Sequence, residues 1–280
     1  MPHASVNGVS LYYETAGEGA PVIFSHEFGG DYRAWEPQLR FFARYYRCTA
    51  YSHRGFPPSS APERLEDYSQ DLLIEDLRGL VRELGVKRAH FVGCSMGAQT
   101  VLMFACRYPE LCQSIVVVGA GSGSTDPAEW RNEIDGVVET LRSGGVQAFA
   151  DGYSGGRSRL PFKHKDPRGW EEFRRQLAEH SAVGQALTMQ GVQRARRTVL
   201  ELSDELRQLR VPALIMVGDE DDGCIEPALF MKRQIPSAQL TMFPGSGHTL
   251  NTEEPDLFNQ VVLRYLHAVE RDSPMLRGEG

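Results

Sequence analysis

The pattern G-x-S-x-G sets a serine between two glycines, and this chain carries it twice, at Gly93-Cys94-Ser95-Met96-Gly97 and at Gly152-Tyr153-Ser154-Gly155-Gly156. A serine hydroxyl is a poor nucleophile at neutral pH. It becomes a good one when a base takes its proton and an acid orients that base. Context separates the two matches. Ser95 follows the apolar run AHFVG and precedes MGAQTVLMFACRY, a stretch of helical composition. A sharp strand-to-helix turn there would expose the hydroxyl, and the flanking glycines remove Cβ atoms that would collide in it. The helix start would also aim free N–H groups and the positive end of its dipole at the oxygen. Ser154 has no strand before it and more glycine after it, so it reads as part of a flexible loop.

The base must come from another strand end. His248 closes LTMFPGSGH, just past a strand and inside a glycine-rich loop, a setting in which a rigid sheet displays functional groups. His53, in the loop HRGFPPSS, is its rival. His267 lies among apolar residues and reads as packing, and His3, His90, His164 and His180 have no comparable setting. For the acid, GDEDDG after PALIMV offers Asp219, Glu220, Asp221 and Asp222, with Asp126 as an outside candidate. A metal reading of His26-Glu27 fails on spacing, because the zinc motif H-E-x-x-H needs a second histidine where Gly30 stands.

These residues need a scaffold of strands. Asn7-Gly8 between two β-type runs predicts a hairpin. PVIFSH, RCTAYS, AHFVG, SIVVVGAG, PALIMVG and QLTMF read as strands. Leu73, Leu77, Leu80 and Leu84 recur on one helical face that Gly85 can end. Helices are also expected over EPALFMKRQI and EPDLFNQVVLRYLHAVE. Alternating strands and helices predict an α/β fold, a mainly parallel twisted sheet with helices on both faces. Residues 122–210 break the rhythm with helical composition, too long for a simple connection. They are expected to form an inserted helical cap, with residues 1–121 and 211–280 as the core domain. QRARR (Gln193–Arg197) reads as a solvated helix face, and Arg157, Arg159, Lys163 and Lys165 as a solvated basic loop.

The net charge of -7 argues against nucleic acid or an anionic membrane as the main partner. The five cysteines are scattered without C-x-x-C spacing, which suits a reducing compartment. The N-terminal stretch lacks a basic segment followed by an apolar core, and no apolar run reaches membrane-span length. A cytoplasmic protein is expected, and a homodimer is compatible with its size.

In combination, SHEFGG, YSHRGFPPS, VGCSMGA, VGDEDD and GSGH resemble the motifs of the α/β-hydrolase fold family over nearly the whole chain. The resemblance implies a Ser-His-Asp triad. The acid three residues past Gly218 is then Asp221, beside Ser95 and His248. It also implies backbone oxyanion donors at Phe28 and Met96, no cofactor and no metal. Glu27 departs from the glycine usual in that loop, and a loop-shaping role is expected, its side chain turned away or bonded to nearby N–H groups. His26 and Arg54 are expected to brace their loops. The chain is also similar to the branch holding carboxylesterases, 3-oxoadipate enol-lactonases and meta-cleavage-product hydrolases. A small ester or lactone is the implied substrate. The alternatives are C–C bond hydrolysis of a β-diketone-type substrate, a cofactor-free lyase or oxygenase, and a ligand-binding receptor.

Overall fold

Asn7 and Gly8 both adopt positive φ, 44° and 79°, as a two-residue hairpin turn requires. They join β1 (His3–Val6) to β2 (Val9–Ala16). The remaining strands of this computed structural model, which describes residues 2–271, are β3 (Pro21–Ser25), β4 (Arg47–Tyr51), β5 (Ala89–Cys94), β6 (Cys112–Val118), β7 (Ala213–Gly218) and β8 (Ala238–Phe243). Met1 and residues 272–280, the outer ends of the expected core spans, lie outside the described residues. The eight strands form one sheet in the order β1-β2-β4-β3-β5-β6-β7-β8. Its first two pairings are antiparallel and the others parallel.

Every residue of β5 and β7 is buried, which is why those strands read as unbroken apolar runs. Successive side chains go to opposite faces. Phe91 joins Leu77, Val101 and Ile215 on one side, and Val92 joins Phe24, Phe42 and Phe258 on the other. The helices α1 (Glu36–Phe42), α2 (Gln70–Glu83) and α3 (Met96–Arg107) alternate with the early strands. In α2 the Ser69 hydroxyl accepts the Leu72 N–H at the start, and Leu73, Leu77 and Leu80 are fully buried.

Between β6 and β7 every regular element is helical: α4 (Pro127–Ser154), α5 (Leu160–Lys165), α6 (Pro167–Ala178), α7 (Ala182–Thr188) and α8 (Ser203–Gln208), with short 3-10 turns and one π-helical turn, Met189–Gln193, between. The segment divides by packing. Ile134, Val138, Leu141, Phe149 and Leu177 form a cluster with Phe28, Phe56 and Met96. Val199, Leu202, Leu206 and Leu209 instead join the cluster beneath the sheet.

After β7 come α9 (Asp222–Gln234), α10 (Leu250–Glu253) and α11 (Pro255–Glu270). α9 starts four residues before the expected Glu226, with Pro227 inside it. The proline tempts a reading as the first helical residue. Here Pro227 is the sixth residue, so α9 lacks the ladder bond that its N–H would make to the Gly223 carbonyl.

Candidate active site

Ser95 joins β5 to α3 with φ 51° and ψ −112°. A non-glycine residue there is strained by about 1–3 kcal/mol. The Ser95 N–H donates to Val118 O on the neighbouring strand, 2.8 Å, which locks the turn. A Cβ at Gly97 would run into the Ser25 and His26 carbonyls, and one at Gly93 into the Gly97 backbone. The sequence therefore needs glycine at both places so that the helix can start hard against β3. Met96 is the first residue of α3, so its N–H has no intrahelical acceptor.

His248 is buried, and its Nδ1 lies 2.7 Å from Asp221 Oδ2. Asp221 stands at the N-cap of α9 yet makes no side-chain cap hydrogen bond, leaving its carboxylate to the imidazole. Burial opposes charge on both groups, and their mutual attraction outweighs it. His248 is held well above the ordinary histidine value and Asp221 below the usual carboxylate range. With Nδ1 committed, Nε2 is the nitrogen left for the cavity. Cys224, whose role the sequence did not suggest, brings its Sγ 4.0 Å from His248 Nδ1 and 3.2 Å from Ser122 Oγ, and its thiol donates to Gly119 O at 3.3 Å. Asp221, Cys224 and His248 could offer a metal three ligand atoms within 4.8 Å of one another. Burial pushes the Cys224 thiol up, away from the thiolate a metal needs, so the three read as a hydrogen-bonded cluster.

The competing candidates go elsewhere. Asp219 Oδ1 accepts the Ser246 N–H at 3.1 Å, Asp222 is exposed and pairs with Arg157 at 3.1 Å, and Glu220 is exposed. Asp126 caps α4 through the Ala128 and Glu129 N–H groups. His53 is buried against Ser25 Oγ at 2.9 Å. His26 links Glu27 O to the His53 N–H, and burial lowers its pKa to about 4, so it braces its loop as a neutral ring. Arg54 forms a buried ion pair with Asp76 at 2.6 Å, bracing as expected. Ser154 is the buried last residue of α4, and no flexible loop surrounds it; Trp170 Nε1 donates to its carbonyl at 2.8 Å, tying it into the helical layer.

Glu27 corrects a second expectation. Its carboxylate neither turns away nor relies on backbone N–H groups alone. It receives both terminal nitrogens of Arg159, at 2.7 Å from Nη1 to Oε1 and closely from Nη2 to Oε2. Nor is Arg159 solvated: only 3% of it is exposed, because its guanidinium lies over the rings of Tyr153 and Phe173 and also donates to the Tyr153 hydroxyl. Burial works against the Glu27 charge, and Arg159 overrides it and holds the carboxyl down. The residue before it, Ser158, accepts the His248 N–H through its carbonyl at 3.0 Å. One short turn between α4 and α5 thus grips both the Glu27–Phe28 loop and the His248 loop. Of the other expected solvated cations, Lys165 bonds Glu253 and Ser246, and Lys163 sits over the Trp170 ring.

Ser95, His248, Asp221 and Phe28 all line one cavity of about 240 Å³, with Arg159 and Arg196 also in its wall. Residues that the sequence could only nominate separately therefore converge from β3, β5, β7 and β8.

Residues 20–255 match the family described as the alpha/beta hydrolase fold. The chain belongs to that hydrolase family. It is 25% identical over 260 residues to 3-oxoadipate enol-lactonase 1 of Acinetobacter baylyi, covering 90% of this chain and 91% of that one. The solved enol-lactonase from Burkholderia xenovorans LB400 superimposes with a TM-score of 0.83 at 25% identity, covering 95% of this chain and all of that one. A thermophilic esterase from Thermogutta terrifontis shares the fold with a TM-score of 0.85 at 24% identity, covering 96% and 98%. Among the described residues no helix is long and apolar enough to cross a membrane.

Proposed function

We propose that the protein hydrolyses small carboxylic esters or lactones through an acyl-enzyme on Ser95. The observation that carries this reading is the His248–Asp221 bond on the wall of the cavity that the strained Ser95 turn also faces. In the proposed reaction His248 Nε2 takes the hydroxyl proton as Ser95 Oγ attacks the carbonyl. Asp221 fixes the ring tautomer and stabilises the imidazolium. The oxyanion is received by the Phe28 and Met96 N–H groups, each contributing about 3 kcal/mol. His248 then protonates the leaving alkoxide, and water releases the acid by the same steps reversed. Each step moves protons between these side chains, substrate and water, so no cofactor or metal enters the scheme.

Residues 122–210 act as the cap, with α4–α7 over the cavity and the stretch after Val199 serving as a strut on the sheet. The unpaired, scattered cysteines suit a reducing cytoplasm. The enol-lactonase relatives support the lactone side of the reading. The test is a panel of acyl esters and lactones of graded length, run beside fluorophosphonate labelling and Ser95→Ala. Turnover with a single adduct on Ser95, abolished in Ser95→Ala, is the expected result. Parental rates in Ser95→Ala, or labelling at Ser154, would overturn it. Cleavage confined to β-diketones would transfer the site to C–C bond hydrolysis.

A further inference from the structure

The Gln193–Arg197 stretch was expected to be a solvated face, and two of its arginines behave so. Arg194 pairs with Asp135 at 2.8 Å and Arg197 pairs closely with Glu205, all four groups exposed. Arg196 turns inward instead, into the wall of the cavity that holds Ser95 and His248. Its Nη2 donates to the Ser122 carbonyl at 3.0 Å, and its guanidinium carbon lies 5.6 Å from the Trp130 ring centre. Trp130 is itself pinned, donating from Nε1 to the Gln193 carbonyl at 3.1 Å. Among the described residues no carboxylate pairs with Arg196. A guanidinium has five N–H donors, and one of them is used.

The cavity wall then has an unbalanced charge. Arg159 is neutralised by Glu27, and any charge on His248 by Asp221. Arg196 remains as a cation without an anion, held in place by an aromatic face and a carbonyl. Burial pushes its guanidinium down to about 10, which leaves it charged at neutral pH. A half-buried charge is costly until a partner meets it, and here the open partner position is the substrate space. Asp126, Glu129, Glu133, Glu220 and Asp222 line an adjoining cavity that shares Ser122 and Trp130 with this one. They are exposed, so salt screens them over about 8 Å under physiological conditions, whereas the half-buried Arg196 is screened less.

We propose that Arg196 is a specificity-determining residue that binds a carboxylate carried by the substrate, so that the preferred ester or lactone is an anionic one. The planar fork suits a carboxylate in two parallel hydrogen bonds. The inference rests on the hydrolase reading for the reaction, but its binding arm does not.

The experiment compares monomethyl glutarate with dimethyl glutarate. Calorimetry on Ser95→Ala measures binding, and kcat/KM on the parental chain measures turnover. The half-ester is expected to be favoured by about 10–100-fold in both, the range for hydrogen bonds to charged groups. Arg196→Gln should bring that ratio close to one, and Arg196→Lys, which keeps the charge but loses the fork, should give an intermediate ratio. A purely structural Arg196 would lower both esters in proportion and leave the ratio intact, which overturns the proposal. So does a parental chain that treats the two esters alike, a result that needs no variant to fold. If the parental chain cleaves neither ester while Ser95→Ala still binds the half-ester through Arg196, the anion site stands and the hydrolase reading falls.

Discussion

Replacing Arg159 by methionine keeps much of its apolar stem and removes the charge, leaving the Glu27 carboxylate buried with no cation beside it. Breaking a buried ion pair by removing one partner costs about 3–5 kcal/mol. Unfolding entropy of about 2.1 cal/mol/K per residue, over 280 residues, makes each kcal/mol worth about 1.7 °C, so the midpoint should fall by about 5–8 °C. Glu27→Leu alone should be similarly damaging, because it strands Arg159. The double variant Glu27→Leu/Arg159→Met removes both charges and should return to within about 2 kcal/mol of the parent, the remainder being the lost stacking on Tyr153 and Phe173. The pH dependence has a definite sign. In the parent the folded-state pKa of Glu27 is depressed, so the pair's contribution is complete above the unfolded carboxylate value and is lost as pH falls through the folded one. In Arg159→Met burial, the largest influence, is opposed only by His248 and the Gly29 N–H, so that pKa rises. The variant's deficit should therefore shrink as pH is lowered from 7 toward 5, as Glu27 takes up a proton. Urea unfolding of the four proteins at both pH values measures this directly. Single variants within 1 kcal/mol of the parent, or effects that simply add, would refute the coupling.

Asp221→Asn should lower kcat about 10⁴-fold by favouring the wrong imidazole tautomer, as read in a p-nitrophenyl ester assay. Because Asp221 raises the His248 pKa, and the reaction needs the neutral ring, kcat/KM for a neutral ester should climb with pH to a half-maximum above 6.5; an acid limb centred below that would contradict the pairing. Ser95→Gly should abolish labelling and turnover yet raise stability by about 1 kcal/mol in urea titration, since glycine tolerates φ 51°. Gly97→Ala should cost about 3 kcal/mol or more, or prevent soluble expression, because the new methyl meets the Ser25 and His26 carbonyls.

The strand–turn–helix at Ser95 was legible because its information is local: strand, serine between glycines and helix all fall within a few residues of Ser95. The hairpin at Asn7-Gly8 and the leucine face of α2 were legible for the same reason. The acid that meets His248 was only narrowed to a cluster, since Asp219, Glu220, Asp221 and Asp222 are all acids in one turn and differ in which way it points them. The resemblance, rather than the residues, selected Asp221. Arg159 and Arg196 were misread because a charged residue's environment is set by distant chain. Glu27 and Arg159 are 132 positions apart, and nothing near Arg196 in sequence distinguishes it from Arg194 or Arg197. One weak signal did exist: Glu27 stood in an otherwise apolar, glycine-rich stretch, and a buried acid implies a cation somewhere.

The grip of Ser158 and Arg159 on two separate loops limits how this enzyme can be re-engineered. A foreign lid grafted between β6 and β7 would have to supply a carbonyl for the His248 amide and a guanidinium for Glu27. A transplant lacking them would disturb His248 and the Glu27–Phe28 loop together, however well its own helices packed.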